Sequence, residues 1–114
     1  MSFRFWGKHL WFSIHFIALK YPSDPTEEHK KNYKEFFENL KMVLPCSRCR
    51  ENYTEHLGIK PLTEDVLSSQ LNLFFWTVDI HNLVNESLEK ETWSHEEALE
   101  FYSDRKNFVT TLDS

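Results

Sequence analysis

Glycine is almost absent. The 114 residues hold only Gly7 and Gly58, where average usage of about 7% would give roughly eight. A dinucleotide fingerprint needs three glycines within six residues, and a P-loop needs two around a tight turn. Neither can be assembled here. A barrel or sandwich with many turns is also poorly served by so few turn residues. No stretch alternates polar and apolar side chains in the two-residue period of a half-buried strand. Helices are what remains, and the four prolines, Pro22, Pro25, Pro45 and Pro61, punctuate them.

The periodicity predicts an all-α chain, a bundle of about five helices. In the first, over residues 3–20, Trp6, Leu10, Ile14 and Ile17 form one stripe, and Gly7, Trp11, His15 and Ala18 form the next. Ser23-Asp24-Pro25 reads as a cap with proline in the first turn of a second helix. That helix carries Tyr33, Phe36, Phe37, Leu40, Val43 and Leu44 on one face. Pro45 opens a short third helix through Cys46, Cys49, Tyr53 and Leu57, with Gly58 as its expected stop. Thr63 or Ser68 is expected to cap a fourth, with Leu71, Phe74, Phe75, Val78, Leu83, Val84 and Leu88 at helical spacing. Ser94-His95-Glu96-Glu97 has capping-box form and opens a last helix with Ala98, Phe101 and Phe108.

Residues 1–114 fit one domain, and a chain of this length buries roughly two-thirds of its unfolded surface. The net charge of −5 argues against a nucleic-acid partner. The Lys30, Lys31 and Lys34 cluster alternates with glutamates, as on a solvated helix face. The most apolar run, residues 10–19, is interrupted by Ser13 and His15 and falls short of the roughly 20 residues of a membrane span. No small-residue cleavage site follows it, so no clear signal peptide is expected. A cytoplasmic, reducing compartment follows, where a close cysteine pair is more often catalytic or metal-binding than structural.

That pair is Cys46-Ser47-Arg48-Cys49. Two intervening residues on a first helical turn bring the sulfurs within disulfide reach. The helix N-terminus and the charges of Arg48 and Arg50 favour the thiolate that attacks in disulfide exchange. The alternative is half a zinc site, completed by His56 and His81, although that spacing matches no finger pattern. It would make the chain a non-enzymatic zinc-binding or redox-sensing interaction module. Thioredoxin-like chemistry would need strands around the motif. A helical dithiol enzyme would instead send its electrons to a flavin or metal relay.

Two further groups carry polar chemistry on helices. His81, Asn85 and Leu88 share a face with Val84 between them, and Trp11 and His15 point the same way four residues apart. Each alone would read as core packing. Together, Trp6-Gly7-x-x-x-Trp11-x-x-x-His15, Tyr21-Pro22, Pro45-Cys46-x-x-Cys49, Trp76, and His81-Asn82-x-Val84-Asn85-x-x-Leu88-x-Lys90, followed by Trp93, resemble the Erv/ALR family of FAD-linked sulfhydryl oxidases. The resemblance spans about residues 5–95.

It implies a four-helix bundle with a short fifth helix and FAD at the bundle mouth. Carried over by position, Gly7, Lys8 (where the family often has arginine), Trp11, His15, Cys49, His81, Asn82, Val84, Asn85 and Leu88 would contact FAD. Lys90 would reach the phosphates and Trp93 would pack near the adenine; no metal ligand is implied. An isoalloxazine needs an apolar slot with a few polar groups at its edge. Trp11 and Val84 can wall it, and His15, His81 and Asn85 can donate to ring, ribose or phosphate oxygens. Catalysis would fall to Cys46, attacked by a substrate dithiol, and Cys49, which passes electrons towards the flavin and on to molecular oxygen, giving hydrogen peroxide.

Cys46 and Cys49 are the only cysteines, so no shuttle pair exists and a thioredoxin-like or small dithiol protein would deliver electrons directly. Such minimal versions resemble those of large cytoplasmic DNA viruses, which implies the cytoplasm, the virus factory or the virion. The family's dimerisation through its first two helices implies a homodimer that is not disulfide-linked. Phe3, Phe5, Phe12, Phe16, Phe36 and Phe37 could form its interface or simply fill a core.

Overall fold

The computed structural model describes residues 3–104, and these form helices in the order α1 Phe3–Leu19, α2 Glu27–Val43, α3 Ser47–Ile59, α4 Glu64–Leu67, α5 Gln70–Ser87 and α6 His95–Ser103. Four are long, and α6 is the short fifth helix of the sequence reading. The one-turn α4 is an addition that periodicity cannot reveal, because four residues are too few to show a repeat.

The helix ends explain the segmentation. Thr26 caps α2 through a capping box: its hydroxyl accepts from the His29 N–H at 3.1 Å, and its own N–H donates to His29 Nδ1 at 3.0 Å. Ser23, Asp24 and Pro25 therefore precede the helix rather than start it. Thr63 and Ser69 each cap their own helix, α4 and α5, so neither half of the Thr63-or-Ser68 expectation describes α5. Ser94 and Glu97 form the expected capping box of α6. Gly58 does not stop α3, which runs on to Ile59 and ends at Lys60.

The left-handed turn that glycine usually supplies occurs instead at Glu89, φ 57°. Around it, the Lys90 N–H donates to the Asn85 carbonyl at 2.8 Å and the Glu89 N–H to Glu86 at 3.1 Å. This is the Schellman closure.

α5 is the axis of the fold, with α1, α3, α4 and α6 packed on it and α2 against α3. Leu73, Phe74, Trp76, Thr77, Val78 and Ile80 of α5 are buried, against Ile14 and Ala18 of α1 and Phe37 and Leu40 of α2. Side-chain donors tie carbonyls across the helices. Tyr53 Oη donates to Phe37 at 2.6 Å, Trp76 Nε1 to Lys60 at 2.7 Å and Tyr21 Oη to Leu67 at 2.7 Å. Among the phenylalanines expected at a core or interface, Phe37 is fully buried and Phe12 and Phe16 pack on the core, whereas Phe5 and Phe36 are 68% and 44% exposed. The Phe3 side chain and Phe108 lie outside the described residues. No helix among the described residues is long and apolar enough to cross a membrane.

Candidate functional site

The chemistry begins at the start of α3. Cys46 is its N-cap, Cys49 closes its first turn, and the two sulfurs form a disulfide with Cα atoms 5.1 Å apart. Cys46 Sγ accepts a hydrogen bond from the Cys49 N–H at 3.1 Å. That N–H and the positive helix end both favour a thiolate once the bond is reduced. Arg50 Nη1 donates to the Leu44 carbonyl at 2.5 Å, pinning the end of α2 against the disulfide. Cys49 packs on the core.

Both cysteines open on a cavity of about 520 Å³ enclosed by α1, α2, α3 and α5. Its walls are mainly apolar: Trp6, Leu10, Trp11, Ile14, Leu40, Leu44 and Val84. Gly7, Trp11, Val84 and Leu88 also line a second hollow of about 350 Å³, with Lys8, Phe12, His81, Asn85, Lys90 and Tyr102. His81, Asn85, Phe12 and Tyr102 continue into a third of about 280 Å³, finished by His15, Asn82, Trp93, Ala98 and Phe101. The three hollows share lining residues and so adjoin in a row, a trough of three compartments. It runs from the disulfide, past two lysines, to an aromatic end under α6.

The floor of the trough is a relay of neutral groups. His15 Nδ1 lies 2.9 Å from Thr77 Oγ1, and His15 Nε2 lies 2.9 Å from His81 Nδ1. The Thr77 hydroxyl donates to the Phe74 carbonyl at 2.6 Å. Thr77 can then only accept from His15 Nδ1–H, so His15 Nε2 accepts from His81 Nδ1–H. His81 is left with Nε2 as an acceptor. Burial, with His81 adding to it, pushes the His15 pKa down to about 3. Burial, with Lys90 adding to it, pushes His81 down to about 4. Trp11 stacks on His81, ring centroids 4.0 Å apart and planes within 5°.

Nearly every residue singled out from the sequence lies on the trough, but three have altered roles. His15 is 2% exposed and both its nitrogens are used inside the protein, so it cannot donate to a ligand. His81 offers a bound molecule an acceptor rather than a donor. Asn82 spends its side chain on the Trp93 backbone, donating to the carbonyl at 2.7 Å and accepting from the N–H at 2.9 Å. It therefore holds the loop that carries Trp93. Among the described residues no group of three or more His, Cys, Asp or Glu side chains is placed to hold a metal ion, so His56 and His81 do not complete a zinc site with the cysteines. Sequence reasoning missed Thr77, the slot walls Leu40 and Leu44, and Tyr102. It considered His56 only as a metal ligand, although Cys49, Tyr53 and His56 follow one helical face at spacings of four and three.

The sequence model of the Erv1/Alr family matches residues 8–105. A probable FAD-linked sulfhydryl oxidase of Acanthamoeba polyphaga mimivirus is 49% identical over 100 residues, covering 88% of this chain and 70% of that protein. An FAD-linked sulfhydryl oxidase of African swine fever virus is 32% identical over 91 residues, 78% of this chain and 74% of that one. The Arabidopsis thaliana ERV1 oxidase is 34% identical over 84 residues, 74% of this chain and 42% of its own length. The crystal structure of the FAD-binding domain of Erv1 from Saccharomyces cerevisiae shares the fold, with TM-score 0.83 at 24% identity over 91% of this chain and 96% of that one. This chain belongs to the Erv1/Alr family.

Proposed function

We propose that the chain is an FAD-linked sulfhydryl oxidase, generating disulfides in thiol substrates through Cys46 and Cys49. The observation that carries this is the row of adjoining hollows that starts at the disulfide. A disulfide at a helix N-terminus opens on a mainly apolar slot, which adjoins a hollow lined by Lys8 and Lys90 and, beyond it, one lined by aromatic side chains.

The residues fit FAD. Trp11, Leu10, Ile14 and Val84 would face the isoalloxazine, Lys8 and Lys90 the pyrophosphate, and Trp93, Phe101 and Tyr102 the adenine. His81 Nε2 and Asn85 remain to meet hydroxyl groups between them. When bound, FAD supplies a two-electron acceptor that molecular oxygen reoxidises, with hydrogen peroxide as product. The chain's own steps are thiol exchange. A substrate thiolate attacks Cys46 Sγ, and the Cys46–Cys49 bond breaks to leave Cys49 as a thiolate facing the slot. The substrate's second thiolate then attacks its own sulfur in the mixed disulfide, releasing the oxidised substrate and Cys46 as a thiolate. The positive end of α3 stabilises both leaving thiolates, and the apolar walls keep water from the electron-transfer end.

A thioredoxin-like or small dithiol protein is the fitting donor to the Cys46–Cys49 pair. Residues 1–114 act as one domain in this reading. The exposed Phe5 and Phe36 on α1 and α2 support a homodimer without an intersubunit disulfide. The likeness to proteins of large DNA viruses supports a place in the cytoplasm, the virus factory or the virion. The purified protein is expected to be yellow, to release FAD on denaturation and to consume oxygen with dithiothreitol. A colourless preparation containing zinc would favour the non-enzymatic module instead.

A further inference from the structure

His56 stands on α3 two helical turns below Cys49, on the same face, and lines the slot beside the disulfide. Seven residues of helix separate them by about 10 Å along the axis. It is 8% exposed, and its Nδ1 has no hydrogen-bond partner. A buried polar atom without a partner in an otherwise well-satisfied fold calls for a missing ligand group. Of the polar side chains lining the same slot, the Tyr53 hydroxyl is committed to Phe37 and the Ser87 hydroxyl to Val84, and neither Asn52, one turn earlier on α3, nor Arg48 bonds Nδ1. The slot is mainly apolar and His56 is buried in it, so a hydrogen bond there would be worth more than at the surface. Burial lowers the His56 pKa against the opposing pull of Glu55 and Glu86, which leaves a neutral ring able to donate or accept as the ligand requires.

We propose that His56 is the polar anchor of the flavin ring, its Nδ1 hydrogen-bonding a heteroatom on the isoalloxazine edge while Cys49 meets the ring nearer the mouth. This rests on the FAD reading above. It adds a polar anchor from α3, beside Cys49, to a set otherwise drawn from α1, α5, α6 and the α5–α6 loop. The anchor sets the ring's depth and its orientation relative to Cys49. The anchor and the redox sulfur share one rigid helix, so their separation does not depend on loop position.

The test compares apo-protein of the wild type, His56→Leu and His56→Gln in three measurements: thermal unfolding without FAD, affinity for added FAD, and the visible band of the bound flavin. His56→Leu should unfold at or above the wild-type temperature without FAD, because it removes an unpartnered polar atom. It should bind FAD about tenfold more weakly, the loss of one net hydrogen bond, with a displaced visible band. His56→Gln should recover part of both. Wild-type affinity and an unmoved band in His56→Leu would overturn the proposal. So would a loss of apo stability large enough to account for the weaker binding. A wild-type protein that takes up no FAD would instead refute the functional reading, and the anchor with it.

Discussion

The two cysteines divide the work by position. Cys46 is the helix cap, which in the proposed function meets the substrate, and Cys49 is the sulfur packed on the core beside the slot. Cys49→Ala should abolish oxidation of dithiothreitol while the protein remains yellow; retained turnover would reverse the assignment. Thr77 is the hidden counterpart of this pair. It orients His15, which orients His81, so Thr77→Val leaves the His15 N–H buried without an acceptor. The expected cost is about 1–3 kcal/mol, read as a lower urea midpoint, with weaker FAD binding alongside. An unchanged midpoint would mean that the relay does not order the site. At this scale the sequence named most of the trough, because Trp11, His15, His81 and Asn85 recur at helical spacing. It could not show which nitrogens were free. The bond between His15 and Thr77 joins residues 62 apart in the chain, and no local pattern reports a partner at that distance.

Elements were legible where capping chemistry is strong and illegible where it is optional. Ser94 with Glu97 is the standard capping box and was readable. Thr26 with His29 uses an imidazole in place of a carboxylate, so the eye falls on Ser23 and Pro25 instead. Gly58 suggested a stop because glycine tolerates the left-handed turn, yet α3 ends without one, and the turn appears thirty-one residues later at Glu89. Both positions can therefore be improved. A Cβ at Gly58 would meet nothing within 4 Å, so Gly58→Ala should stabilise the protein by about 0.5–1 kcal/mol through helix propensity and chain entropy. Glu89→Gly relieves a left-handed side chain and should add about 1 kcal/mol. Denaturant unfolding checks each, and a loss of stability in either would contradict the local geometry. The Glu89 turn also aims Lys90 at the second hollow, so FAD affinity in Glu89→Gly reports whether that turn serves binding as well as chain reversal.

For the whole molecule, the neutral histidine pair makes stability depend on pH. His15 and His81 ordinarily titrate near 6.5, but in the fold they do so near 3 and 4. Between these values the unfolded chain binds more protons than the folded one. The pair's contribution is therefore complete above about pH 6.5 and is lost as pH falls, down to about 4 for His81 and about 3 for His15. The slope is about 1.4 kcal/mol per pH unit for each proton taken up. Urea midpoints measured from pH 7 to pH 5 should fall accordingly, and a flat profile would place the protons elsewhere. Near-absence of glycine first excluded the loop-based ways of holding a nucleotide. What the fold offers in their place is a row of adjoining hollows lined from α1, α2, α3, α5 and α6, with a disulfide at one end. The central claim is that electrons enter at that disulfide and leave through a flavin in the trough. Anaerobic addition of dithiothreitol to the yellow protein tests it directly. Wild-type flavin should bleach and recover its colour, with hydrogen peroxide, when oxygen is admitted, whereas Cys49→Ala should stay yellow throughout. Equal bleaching of the variant, or a wild type that never bleaches, would contradict the account.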